Sequence, residues 1–250
     1  MTDGGIIMNK PSVTVNDFPV ISTREELCGL IGEIGFLPFF LSGIKGFSLK
    51  EHIDPAVWFV EGVDGPWEWK TDVGVYAKLL RGKAVFLTPE WYAIFACYRR
   101  DGYDLEGMYE DGLIPHGALP IIEELQKGHA PGASISSERL FSVPEMGVLS
   151  SDLRARTGML DKSSDFDGII NLLQMKCFVI PSSFEYAIDR HGRPYGWGLA
   201  RYSLSDAKYG KLIEETEEKY SPAEAKELIV SRILALCPEA TRKQAERLVK

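Results

Sequence analysis

Residues 163–177 read SSDFDGIINLLQMKC, and residues 178–202 continue FVIPSSFEYAIDRHGRPYGWGLARY. In the first stretch Phe166, Ile169, Ile170, Leu173 and Cys177 recur at three- to four-residue spacing, which predicts a helix with one buried face. Ser163 or Ser164 supplies its N-cap and Asp165 an acidic first turn. In the second, Phe178-Val179-Ile180 and Phe184 to Ile188 lead into the turn Asp189 to Pro194, and Trp197 to Tyr202 runs back, so a long hairpin is expected. Just upstream, Leu149 to Gly158 reads as a short helix closed by glycine. Helix, turn, helix and hairpin is the order of a winged helix-turn-helix.

Outward from this module the chain changes character. Residues 128–137, with Gly128, Pro131, Gly132, Ser134, Ser136 and Ser137, read as a linker. Three parts follow: an α+β region over 1–127, the winged helix over 138–212 and a helical pair over 213–250. In the first part Ser22 or Thr23 opens a helix running to about Ile34. GFLPFF after it reads as a turn, and Asp54-Pro55 as the cap of a short helical piece. Trp67-Glu68-Trp69-Lys70 alternates as a strand does. Val75 to Ala77 and Lys83 to Leu87 bracket Arg81-Gly82 as a hairpin. Thr88-Pro89-Glu90 opens an aromatic helix to Arg100, and Leu119 to Gln126 is helical. In the last part Ser221-Pro222-Ala223-Glu224 is a capping box, Pro238 ends that helix, and Ala240 to Val249 forms another. The fold class is α+β: a small antiparallel sheet, the winged helix and C-terminal helices.

Composition narrows the function. The chain has 250 residues, 28 Lys and Arg against 36 Asp and Glu, and a formal net charge of -8. That balance argues against indiscriminate coating of nucleic acid or membrane. Within 184–211, however, five basic residues outnumber three acidic ones. Arg190, His191, Arg193 and Arg201 on the wing are the candidates for holding phosphates. The second helix suits phosphates less, because Asp165 and Asp167 stand beside Gly168 and Asn171 on its solvent face. The four cysteines, Cys28, Cys97, Cys177 and Cys237, form no CxxC and read as buried free thiols of a cytoplasmic protein. The four histidines lie apart, so no metal and no cofactor is expected. No secretory signal and no stretch long enough to span a bilayer is apparent, and nothing fixes an oligomeric state.

A second candidate site lies in the first part. Glu68 between Trp67 and Trp69 reads as a carboxylate in an aromatic pocket with a raised pKa. Tyr98, Arg99, Arg100 and Asp101 follow an aromatic helix and are placed to meet it, for stacking on a planar ligand.

Ile169 to Lys176 followed by a wing resembles bacterial winged-helix proteins related to the AlkZ-type DNA glycosylases. Pro66-Trp67-Glu68-Trp69, Tyr98-Arg99-Arg100-Asp101-Gly102-Tyr103-Asp104 and Pro194-Tyr195-Gly196-Trp197 carry the likeness, over roughly residues 30–235. The resemblance implies tandem winged helices, DNA as partner and excision of alkylated or crosslinked bases. The catalytic motif of those glycosylases is Gln, an apolar residue, then Gln or Asp. Gln174-Met175 matches the first two positions and Lys176 replaces the third. An acid or amide there would orient the attacking water; a protonated lysine accepts no proton from it. Lysine would instead offer an amine for a Schiff base. Three readings follow: a DNA-binding protein related to repair with altered or lost glycosylase activity, a non-catalytic protein-interaction scaffold, or a small-ligand binder using the aromatics of the first part.

Overall fold

The computed structural model describes residues 11–60, 63–127, 147–188, 190–192 and 194–250. The proposed linker 128–137 lies outside the described residues, as does Arg193. Helices and small antiparallel sheets make up the described chain, an α+β fold. It forms two compact units: residues 1–102 with 175–177 and 209–250, and residues 103–174 with 178–208.

In the first unit α1 (Arg24–Ile34) starts at a capping box, with Thr23 accepting from Glu26 N and the Glu26 side chain returning to the cap. Leu27, Leu30, Ile31 and Ile34 are its buried face. A three-stranded antiparallel sheet follows in the order β1-β3-β2, from β1 (Phe36–Pro38), β2 (Val75–Leu80) and β3 (Lys83–Leu87). Arg81 and Gly82 take positive φ (54° and 70°) in the two-residue turn between β2 and β3, as a hairpin of that length requires. The next helix, α2 (Pro89–Arg100), has Thr88 as cap and Pro89 at its first position, and buries Trp91 through Cys97. It packs on α8 (Pro222–Leu236), whose Ser221–Glu224 capping box is formed, and α8 meets α9 (Arg242–Val249).

Three local expectations give way here. GFLPFF is not a turn, because Phe36 pairs with Leu87 and Pro38 with Val85 in β1. Proline is tolerated there because β1 is an edge strand and no neighbour needs its missing N–H. Residues 67–70 are not a strand: Glu68 N and Trp69 N both donate to Gly65 O, and Trp69–Thr71 form a 3₁₀ turn. The residues after Asp54 make only single turns, Val57 N to Asp54 O and Trp58 N to Pro55 O, and Phe59 at φ 55° ends them.

The second unit contains α3 (Leu105–Glu110), α4 (Ala118–Lys127), β4 (Val148–Leu149), α5 (Ser150–Arg156), α6 (Ser163–Met175), β5 (Val179–Ile188) and β6 (Pro194–Leu204). Its sheet has the order β4-β6-β5, all antiparallel. Ile121, Ile122 and Leu125 of α4, Leu153 of α5, Phe166, Ile170 and Leu173 of α6, and Phe178 and Val179 share one apolar core. Between the α5–β6 elements and α8 the chain continues as α7 (Asp206–Lys219), which buries Tyr209, Ile213 and Thr216.

Candidate nucleic-acid interface

The β5–β6 hairpin begins in the core and ends in solvent. Val179, Ile180 and Pro181 are buried, whereas Ala187 and Ile188 are exposed. β4 pairs with β6 only at Tyr202 and Arg201, so beyond that point β5 and β6 form a two-stranded ribbon. Its register runs from Val179 opposite Leu204 to Ile188 opposite Pro194, with irregularities after Pro181 and Glu185 that bend and twist it. At the tip Arg190, His191 and Gly192 are exposed, and Arg190 Nε donates to His191 Nε2 over 3.1 Å. Ile188 and Leu199 add exposed aliphatic surface, at 60% and 48%.

Arg201 differs from the tip residues. It donates to Gly147 O over 3.0 Å and to the Glu185 carboxylate, and is largely covered. It braces the root of the ribbon, where its guanidinium donates to the carbonyl just before β4.

On α6, Gln174 is 1% exposed, buried with Leu173. A water-activating amide must face the incoming nucleotide, and Gln174 does not reach the surface. Lys176 and Asn171 are half-buried. Among the described side chains of α6 the exposed positions are Asp165, Asp167 and Gly168. Asp167 accepts from Arg154 Nη2 of α5 at 2.6 Å, and the Arg154 guanidinium lies 4.8 Å over the Phe166 ring. Burial, reinforced by the Asp167 charge and countered by Arg154, pushes the Tyr202 phenol up to about 12, so it stays protonated at neutral pH. Sequence reading missed this Asp167–Arg154–Tyr202 group; its three members are far apart in the chain and carry no motif.

The second expected site divides into separate structural contacts. Trp69 is 2% exposed and belongs to the core. Trp67 packs 5.4 Å from Phe39 and 5.0 Å from Phe59, with Lys70 Nζ 4.2 Å over its ring. Glu68 is exposed, not enclosed by aromatics, and its carboxylate accepts from Gly65 N at 3.2 Å. Arg99 donates to Leu79 O (2.9 Å), Lys250 O (3.0 Å) and Val249 O, and lies 5.1 Å from the Tyr98 ring. Arg100 is buried and donates to Cys177 O over 2.8 Å, while Asp101 caps α2 at φ 54°. The arginines therefore serve main-chain carbonyls at the ends of a strand and a helix. The residue that sequence reading passed over is Lys70, buried at 2% exposure and pushed down to about 8 by burial, against the pull of Glu68.

Among the described residues Cys97, Cys177 and Cys237 are buried free thiols and Cys28 is half-buried. No group of three His, Cys, Asp or Glu among the described residues is placed to hold a metal ion, and no helix there is long and apolar enough to cross a membrane.

A family model described as AlkZ related matches residues 21–250. The chain belongs to the AlkZ-related family. The match covers both units of this AlkZ-related chain. No curated protein and no solved structure matches it.

Proposed function

We propose that this AlkZ-related chain is a winged-helix protein that contacts duplex DNA through the β5–β6 ribbon, in a repair-related role, without base excision at Gln174. The order α4, β4, α5, α6, β5, β6 is helix, strand, helix, helix, strand, strand, which supports the winged-helix reading. The observation that carries the proposal is the ribbon tip, where exposed Arg190 and His191 stand beside exposed Ile188, with exposed Leu199 farther down the ribbon opposite Glu185. A narrow ribbon of this kind fits a groove: guanidinium and imidazole meet phosphates while aliphatic groups press on sugars or base steps. Asp165 and Asp167 make the exposed face of α6 a poor partner for phosphates. Recognition then rests on duplex shape instead of a base-reading helix. The burial of Gln174 and the lysine at 176 support loss of water-activated excision.

The test is fluorescence anisotropy with a labelled duplex of about 20 base pairs at two salt concentrations. Binding that weakens with salt, and that falls at least about tenfold in Arg190→Glu with His191→Glu, is expected. No binding at low salt, or binding indifferent to that double change, overturns the reading. Release of alkylated bases that disappears in Gln174→Ala overturns its second half.

A further inference from the structure

The first unit contains a cleft of about 490 Å³, between Val15-Asn16, the Ile44–Gly46 turn, Glu51-His52 and the corner from Cys237 to Gln244. Its size falls in the range of small-molecule sites, and its walls are built. Gly46 sits at φ +75°, and a Cβ there would lie 3.1 Å from the Val15 side chain and 3.9 Å from His52 Nε2, so glycine keeps this wall thin. His52 Nε2 donates to Gly46 O at 2.7 Å. Glu51 is held by two neutral donors, Gly46 N at 2.8 Å and Ser48 Oγ at 2.6 Å. Gln244 Oε1 is taken by Thr241 N and Oγ, both at 2.8 Å, which leaves its amide N–H groups as donors.

Lys45, Glu51 and Glu239 line this one cleft, and none of the three forms an ion pair among the described residues. Opposite charges are thus held apart along walls that include Val15, Ile44, Pro238 and Ala240. A molecule bearing both an ammonium and a carboxylate complements both signs at once, and a singly charged one complements only half. We propose that the cleft binds a small zwitterion of the α-amino-acid type with an aliphatic side chain. Glu51 and Glu239 take the ammonium, Lys45 and the Gln244 amide take the carboxylate, and the apolar walls take the side chain.

The probe is L-leucine, titrated calorimetrically into the full chain, with isoamylamine and 4-methylpentanoate as its two singly charged halves. Saturable binding of L-leucine at one site is expected, with each half at least about tenfold weaker. Lys45 and Glu239 are exposed, so Lys45→Met and Glu239→Gln keep the fold. Each is expected to weaken L-leucine at least about tenfold with an unchanged melting midpoint in its absence. Absence of saturable heat with L-leucine overturns the proposal. So does equal binding of either half-molecule, or an affinity unmoved by both substitutions.

Discussion

Replacing Lys70 by methionine should make the protein more stable, and by an amount that depends on pH. Lys70 is 2% exposed, and burial lowers its ammonium from 10.5 to about 8. A drop of that size corresponds to about 3 kcal/mol of cost for keeping the charged form folded at neutral pH. The contact of Nζ with Trp67, 4.2 Å from the ring centroid, returns about 1–2 kcal/mol of that when desolvated, so Lys70→Met should gain about 1–2 kcal/mol at neutral pH. The sign with pH follows from proton counting. Below about pH 8 lysine is charged in both states and the full cost is present. Between about 8 and 10.5 the unfolded chain binds the extra proton, so wild-type stability rises with pH. The variant has no such group, and its advantage should shrink by about 2 kcal/mol from about pH 7 to about pH 9.5. Urea unfolding of both proteins at both pH values measures this. Cys97 and Cys237, pushed up to about 11 and about 12 by burial, act in the opposite direction. Their stabilisation is complete below the ordinary thiol pKa and fades as pH rises toward the folded values, but both proteins contain them and they cancel in the difference. A variant less stable than wild type at neutral pH, or an advantage that does not move with pH, would refute the reasoning.

Two further changes probe the frame of the first unit. Gly35 at φ +92° closes α1, and a Cβ there would fall 2.1 Å from Trp91 Nε1, so Gly35→Ala should destabilise by at least about 2 kcal/mol in thermal or urea unfolding. Arg99→Lys keeps the charge but loses the fork that reaches three carbonyls, and should cost about 1–3 kcal/mol by the same measurement.

The helix starts were legible because capping is local chemistry. Thr23, Thr88 and Ser221 announce their helices, and each cap is formed. Arg81-Gly82 likewise announces its hairpin, since only the two central residues must adopt positive φ. Features set by distant partners were not legible. Pro38 reads as a break until β3 supplies the neighbour that makes β1 an edge strand. Trp67-Glu68-Trp69 has the alternation of a strand, but the next residue, Lys70, is buried, and the alternation instead belongs to a turn closed on Gly65. Helix α7 carries Gly210 and a dense run of charges and so shows little apolar period; its burial of Tyr209 and Ile213 supplies what propensity does not. At the candidate site the ribbon and its basic tip were visible in the order of residues. The fate of Arg201, Arg99 and Arg100 was not, because an arginine that braces a carbonyl and one that awaits a phosphate have the same sequence signature.

The most direct measurement of DNA contact by the ribbon is hydrogen–deuterium exchange of the full chain with and without a duplex of about 20 base pairs. Slowed exchange concentrated in residues 184–201 is the result expected. Slowed exchange that leaves this ribbon untouched and falls elsewhere would contradict it.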